Sequence, residues 1–313
     1  MKIVVTGGAG FIGANLCRDL VAKGINEVVA LDDLSTGFRS NLDGVNVEFV
    51  EGSILDRALL NSVVRDAHSV VHLAARPSVP RSVVDPVASH EANATGTLYV
   101  LEAAREHGAH VCLASSSSVY GRNPILPKSE DLNTMPMSPY AVSKLAAETY
   151  ALAYAHCYDM KTLPFRFFNV FGPLQAAGHA YAAVVPAFVS NALRGEPVVV
   201  HGDGEQTRDF TYVGTVTEVL SRAAINRATS ETPVNLAFGN RTSLLELIDL
   251  LSDVLGRTVE TEHAGTRAGD VRDSQADDSR LRALFPETKP VSLRTGLEAT
   301  VQWMSGLVPI KVF

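Results

Sequence analysis

Lys2-Ile3-Val4-Val5-Thr6-Gly7-Gly8-Ala9-Gly10-Phe11-Ile12-Gly13 decides the fold class of this 313-residue chain. The first five residues, largely β-branched, read as a strand. Three glycines then recur as Gly7-x-x-Gly10-x-x-Gly13. A helical stretch over 14–23 follows, with Leu16, Leu20 and Val21 apolar. Strand, glycine turn and helix form the context in which this spacing binds a dinucleotide. Gly7 permits a tight turn, Gly10 lets backbone approach a pyrophosphate, and Gly13 lets the helix pack close to the sheet. The helix N-terminus offers phosphate its unpaired N–H groups and the positive end of its dipole. A second strand over 27–31 ends at Asp32, close to the expected ~20 residues downstream. A carboxylate there accepts both ribose hydroxyls and repels a 2′-phosphate. The reading is NAD rather than NADP.

Outward from this unit, apolar strand-like runs alternate with helical ones. Strands are predicted over 2–6, 27–31, 45–51, 69–73, 110–115 and 161–167, and helices over 14–23, 56–64, 91–107 and 139–158. The alternation implies an α/β, Rossmann-type doubly wound parallel sheet. Residues 1–168 form the expected NAD-binding domain. Residues 169–313 form a smaller C-terminal substrate-binding lobe, with some segments returning to the main sheet. In that lobe a helix is predicted over 185–194, a strand over 197–201, a helix over 244–255 and a strand over 259–262. Ligands of such sheets sit beyond the carboxyl ends of the strands. The expected cofactor contacts are therefore Gly7, Gly10, Phe11, Ile12, Gly13, Asp32, Asp33, Ser53, Ile54, Leu73, Ala74, Ala75, Ser115 and Phe167.

Composition bounds the function. At 46% hydrophobic and 19% charged residues the chain reads as globular, and its net charge of −7 argues against nonspecific binding to nucleic acid or an anionic membrane. No apolar run approaches the ~20 residues of a spanning helix. The first strand begins at residue 2, so no signal peptide is read, and the expected location is the cytoplasm. Cys17, Cys112 and Cys157 are scattered and odd in number, which fits reduced thiols rather than disulfides or a metal site.

Ser138-Pro139-Tyr140-Ala141-Val142-Ser143-Lys144 carries the chemistry. Ser138 suits an N-cap and Pro139 the first helical position. Tyr140 and Lys144 then lie one turn apart on one helix face. An unperturbed phenol titrates near pH ~10, and a neighbouring ammonium stabilises its phenolate. Alone, the pair reads equally as a surface contact. Its weight comes from the dinucleotide turn and from Ala114-Ser115-Ser116-Ser117-Ser118-Val119-Tyr120-Gly121, which ends the fifth strand with hydroxyls. His72 reads as a packed histidine rather than a base.

The glycine turn, the Ser-Ser-Ser-Ser-Val-Tyr-Gly run and Tyr140-x-x-x-Lys144 together resemble the extended short-chain dehydrogenase/reductase superfamily, nearest to the UDP-sugar 4-epimerases. The resemblance spans essentially the whole chain, including Arg166-Phe167-Phe168-Asn169-Val170-Phe171-Gly172-Pro173. It is closest to UDP-N-acetylglucosamine 4-epimerases at Ala180–Pro186, Gly202–Phe210 and Gly269–Asp277. It implies a homodimer built on the helices over 91–107 and 139–158. It also implies NAD as a recycled cofactor and a UDP-hexose substrate, UDP-GlcNAc/UDP-GalNAc and/or UDP-Glc/UDP-Gal. Tyr140 would take and return the proton of the sugar 4-hydroxyl, Lys144 would lower its pKa and hold the nicotinamide ribose, and Ser116 would be the catalytic hydroxyl. Ser117 and Ser118 would neighbour the sugar, and Asn93 would order the cofactor side of the site. Asn169, Arg208 and Arg267 match contacts to the phosphates. Asp270 matches a ribose contact, and Ala183 and Val184 lie near the uracil. Ser274 stands where a bulky tyrosine excludes N-acetyl groups. Ser53 replaces an aspartate beside the adenine.

Related reactions need other residues. Sugar 4,6-dehydratases carry an Asp-Glu pair where Ser117 and Ser118 stand, so the acid and base of an elimination are missing. Decarboxylases place a glutamate there. Glucuronate 4-epimerases tend to carry an arginine after Phe-Gly-Pro, where Leu174-Gln175-Ala176-Ala177 offers none. These remain alternatives, as does a non-catalytic NAD-binding interaction protein.

Overall fold

The computed structural model describes residues 1–177, 182–265 and 272–307. Along the chain run β1 (Lys2–Thr6), α1 (Phe11–Ala22), β2 (Glu27–Asp32), β3 (Glu48–Glu51), α2 (Arg57–Val64) and β4 (Ser69–His72). They are followed by α3 (Val79–Val84), α4 (Pro86–His90), a π turn (Glu91–Thr95), α5 (Gly96–His107), β5 (His110–Ser116), α6 (Pro139–Tyr158), β6 (Thr162–Phe167) and β7 (Asn169–Phe171). The second half adds α7 (Val184–Arg194), β8 (Val198–His201), β9 (Thr207–Arg208), β10 (Phe210–Tyr212), α8 (Val213–Asn226) and β11 (Val234–Leu236). It ends with β12 (Thr242–Ser243), α9 (Leu244–Leu255), β13 (Thr261–Ala264), α10 (Ser279–Leu284) and α11 (Leu293–Ser305).

Seven strands form one parallel sheet in the order β11-β6-β5-β4-β1-β2-β3. The order reverses between β1 and β4, which opens a crevice at their carboxyl ends. Both sheet faces are covered, so the strands are nearly continuous apolar runs. One core joins Ile3 and Val5 to Leu16 and Leu20 of α1 and Val216 and Leu220 of α8. The other joins Val4 and Val70 to Leu60, Leu101 and Ala151 on α2, α5 and α6. A separate core packs Phe188, Leu247, Leu251 and Leu297 from α7, α9 and α11.

Local signals explain the well-placed elements. Ser138 caps α6, its hydroxyl accepting the Ala141 N–H at 3.2 Å. Ser243 and Glu246 form a reciprocal capping box on α9. Two expectations need correction. Helix α1 begins at Phe11 rather than 14, because Gly10 itself is the N-cap. The helix expected over 91–107 is α5 preceded by α4 and a π turn. After Arg76, Ser78 caps α3 and its hydroxyl accepts the Arg81 N–H, with Pro80 tolerated in the first turn. The segment returning to the main sheet is β11, which pairs with β6.

Candidate active site

A cleft of about 1200 Å³ follows the carboxyl edge of the sheet and continues between β7, α7 and β10. At one end is the glycine turn. Gly7 has φ +70°, and a Cβ there would lie 2.7 Å from Ala74 N. A Cβ at Gly13 would lie 2.1 Å from the Gly7 carbonyl oxygen. No side chain caps α1, so its first N–H groups face an open cradle that a methyl group would fill. Asp32 orders this turn: one oxygen accepts the Ala9 N–H at 2.9 Å and the other the Leu34 N–H at 2.8 Å. Burial raises the Asp32 pKa, and those N–H groups oppose the rise. The cradle, the dipole end of α1 and a backbone-held carboxylate suit a pyrophosphate and a ribose diol.

At the centre, β5 meets α6. The Lys144 ammonium donates to the Ala114 carbonyl at 2.8 Å, and its residue is only 6% exposed. Burial lowers the Lys144 pKa to about 8. Tyr140 departs from expectation. Burial raises its phenol above the ordinary value, and the opposing influence is a hydrogen bond with Ser116 rather than the Lys144 charge. The Lys144 ammonium is turned to a backbone carbonyl, while Ser116 works against the rise that burial imposes on the phenol. His72 is buried between Thr6 and Thr97, whose hydroxyls lie 2.7 and 2.9 Å from its ring nitrogens. Burial and the Lys144 charge depress its pKa to about 3. It is a packed neutral imidazole.

The serine run divides by direction. The Ser115 hydroxyl donates to Glu148 at 2.7 Å, so it is not available to a ligand although its residue lines the cleft. Ser116 faces Tyr140. Ser118 points its hydroxyl at Ser116 Oγ, 2.9 Å away, and neither Ser117 nor Ser118 lines the cleft. Asn93 also lies outside the lining. It is buried in the π turn, accepts the Arg76 N–H at 2.7 Å and donates to the Ser143 hydroxyl at 3.0 Å. That hydroxyl donates to the Tyr140 carbonyl. Asn93 therefore ties the segment after β4 to the Tyr140 turn.

The glycines, Phe11, Ile12, Asp32, Asp33, Ser53, Ile54, Leu73, Ala74, Ala75, Ser116, Tyr140, Lys144 and Phe167 all line the cleft. So do Asn169, Ala183, Val184 and Arg208 at its far end. Ser274 does not. It is half-buried, and its N–H donates to the Thr207 carbonyl at 3.1 Å. Arg267 and Asp270 lie outside the described residues. Sequence reasoning missed Ser82, whose hydroxyl accepts the Tyr140 N–H at 3.0 Å, and Glu148. Glu148 did leave a signal: Tyr140, Lys144 and Glu148 are spaced four apart, one polar row along a helix.

The model of the NAD dependent epimerase/dehydratase family matches residues 3–237. A UDP-glucose 4-epimerase of Mycolicibacterium smegmatis is 38% identical over 310 residues, 97% of this chain and 98% of that protein. The structure of UDP-N-acetylglucosamine 4-epimerase from Methanobrevibacter ruminantium in complex with UDP-N-acetylmuramic acid is similar with a TM-score of 0.92 at 35% identity, covering 98% of this chain and 99% of that one. The Thermus thermophilus UDP-glucose 4-epimerase complex with NAD is similar with a TM-score of 0.88 at 35% identity, covering 98% and 100%. Matched by the family model over three quarters of its length, the chain belongs to the NAD dependent epimerase/dehydratase family.

Proposed function

We propose that this protein is an NAD-dependent 4-epimerase of UDP-hexoses, acting on UDP-GlcNAc/UDP-GalNAc and/or UDP-Glc/UDP-Gal through a transient 4-keto sugar. The observation that carries the reading is the convergence of Ser116, Tyr140 and Lys144 in the same cleft as the glycine cradle and Asp32. NAD, when bound, supplies the hydride acceptor at the sugar C4 and returns the hydride. The chain's own residues handle the proton. Ser116 orients the sugar 4-hydroxyl and stabilises phenolate, while Tyr140 takes the proton and later gives it back. Lys144 holds positive charge next to the nicotinamide ribose. The glycine turn, Phe11 and Ile12 hold the pyrophosphate, with Asp32 on the adenosine ribose and Asp33, Ser53 and Ile54 around the adenosine. Asn169 and Arg208 hold the UDP phosphates, with Ala183 and Val184 at the uracil; Arg267 and Asp270 complete this arm by the resemblance. Ser117 and Ser118 put no carboxylate on the serine turn, which disfavours dehydration and decarboxylation.

A homodimer across α5 and α6 belongs to this reading; Val142 and Tyr150 on α6 are exposed, and sedimentation of the purified protein tests it. The activity is tested by incubating the protein with each of the four UDP-hexoses, and with UDP-glucuronate, and resolving the products chromatographically. The expected result is interconversion of a 4-epimer pair without consumption of free NAD. No interconversion of any pair would end the reading. Ser274→Tyr should suppress turnover of the N-acetylated pair selectively. Wild-type turnover limited to non-acetylated sugars would contradict the role given to Ser274.

A further inference from the structure

Helix α6 presents three polar side chains to the end of β5. Tyr140 lines the cleft with Ser116, Lys144 meets the Ala114 carbonyl, and Glu148 accepts the Ser115 hydroxyl at 2.7 Å. The third rung continues to β6. Arg166 stands opposite Ser115 in the β5–β6 register, and its fork grips Glu148, Nε to Oε2 at 3.0 Å and Nη2 to Oε1 at 2.7 Å. Glu148 is 2% exposed and Arg166 3%. The guanidinium carbon also lies 4.7 Å from the centre of the Tyr120 ring, four residues beyond Ser116. Tyr120 is anchored at its far end by donating its hydroxyl to Asn235 Oδ1 at 2.6 Å. The pair thus grips the serine turn on both flanks of Ser116, at Ser115 through Glu148 and at Tyr120 through Arg166.

A buried ion pair is weak evidence for stability, because apolar side chains of similar volume often serve as well. What an apolar pair lacks is direction. A bidentate carboxylate fixes the helix in translation and rotation against two strands, and reactions of this kind are sensitive to sub-ångström placement. We propose that Glu148 and Arg166 are positioning residues that hold the serine turn against α6, so that the Ser116 hydroxyl meets the Tyr140 phenol. This rests on the roles of Ser116 and Tyr140 proposed above.

The double variant Glu148→Leu/Arg166→Met removes both charges together and leaves no uncompensated one. With the NAD-loaded protein, kcat for the turned-over UDP-hexose should fall about 100-fold while KM and NAD content stay within about twofold of wild type. Adding Ser116→Ala to the double variant should cost little more, because the Ser116 contact is already lost. The Tyr140 titration, read by ultraviolet difference between each protein and its Tyr140→Phe counterpart, should move upward. Lys144 on α6, and Arg76, Arg81 and Glu91, which line the same cleft from the segments packed on α6, are unaltered. This readout does not depend on any sugar being turned over, so it separates failure of the positioning role from failure of the epimerase assignment. Should the double variant not fold, Glu148→Gln keeps the size and the Ser115 acceptor and should give a smaller shift of the same sign. A folded variant with wild-type kcat and an unmoved phenol titration overturns the proposal.

Discussion

The Lys144 ammonium donates to the Ala114 carbonyl at 2.8 Å, which turns it along the sheet edge instead of at the Tyr140 phenol. Burial lowers its pKa to about 8. It is charged below that pH and neutral above it, so kcat/KM should decline as pH rises through about 8. Lys144→Met should remove this alkaline limb and lower kcat by roughly 10²–10⁴-fold. Lys144→Arg should not restore activity, because a planar fork does not fit the buried point contact. A pH–rate profile unchanged in Lys144→Met would refute the assignment.

Tyr140→Phe deletes the proposed proton carrier while keeping the ring. It should lower kcat by roughly 10²–10⁴-fold with NAD content unchanged. Ser116→Ala removes one hydrogen bond to a group that becomes charged, a loss of about 1.5–3 kcal/mol, or roughly 10–150-fold in kcat. Ser118→Ala, which removes a hydroxyl that donates to Ser116 Oγ and does not line the cleft, should do much less. Steady-state kinetics of the three variants checks the ranking; Ser118→Ala as severe as Ser116→Ala would assign the catalytic hydroxyl to the wrong residue.

Much of this arrangement was legible because its signals are local. The glycine turn, Asp32 at a strand end and the Ser138-Pro139 helix start each announce themselves within a few residues. Ser115 and Ser116 could not be separated that way. They are adjacent residues of one type, and their roles differ only because successive side chains of a strand face opposite sides. One meets Glu148 and the other Tyr140. The return of Val234–Leu236 to the sheet is set by pairing with β6, a contact between distant segments with no local signature.

Gly13→Ala tests the cradle. The added methyl would sit 2.1 Å from the Gly7 carbonyl oxygen and 2.9 Å from Gly8 Cα, so helix α1 must back away from the turn. The expected result is protein purified with markedly less NAD and a melting temperature lowered by overpacking worth roughly 1–3 kcal/mol. Gly24→Ala provides the contrast. Its φ is +81° and nothing lies within 4 Å of the new methyl, so it should carry only the backbone strain and keep its NAD. Equal NAD loss in both would show that the effect is not steric closure of the cradle.

Asp209 follows Arg208 beneath the substrate end of the cleft and is fully buried. One carboxylate oxygen accepts the N–H groups of Gly239 and Ala276, each at 3.0 Å, while the other has no partner among the described residues. Burial pushes its pKa up to about 7 against the N–H groups that oppose it. The folded-state pKa is therefore above the unfolded value, an unusual direction for a carboxylate. Between about pH 4 and pH 7 the folded protein holds a proton that the unfolded chain has released, so this group's contribution falls as pH rises through that window. Three pK units correspond to a ceiling of about 4 kcal/mol. His72 and His110 slope the other way: burial depresses them to about 3 and about 4, so stability falls as pH drops below about 6.5. The wild-type curve mixes these slopes, and Asp209→Asn isolates one. The amide stays neutral at every pH and keeps an acceptor for the two N–H groups. The variant should match wild type near pH 4 and become progressively more stable than it up to about pH 7, by melting temperature or urea midpoint. The difference between the two proteins should level off above about pH 7. A difference that stays flat from pH 5 to 8 would mean that Asp209 is already ionised in the folded protein across that range, its unpartnered oxygen reached by a donor such as water.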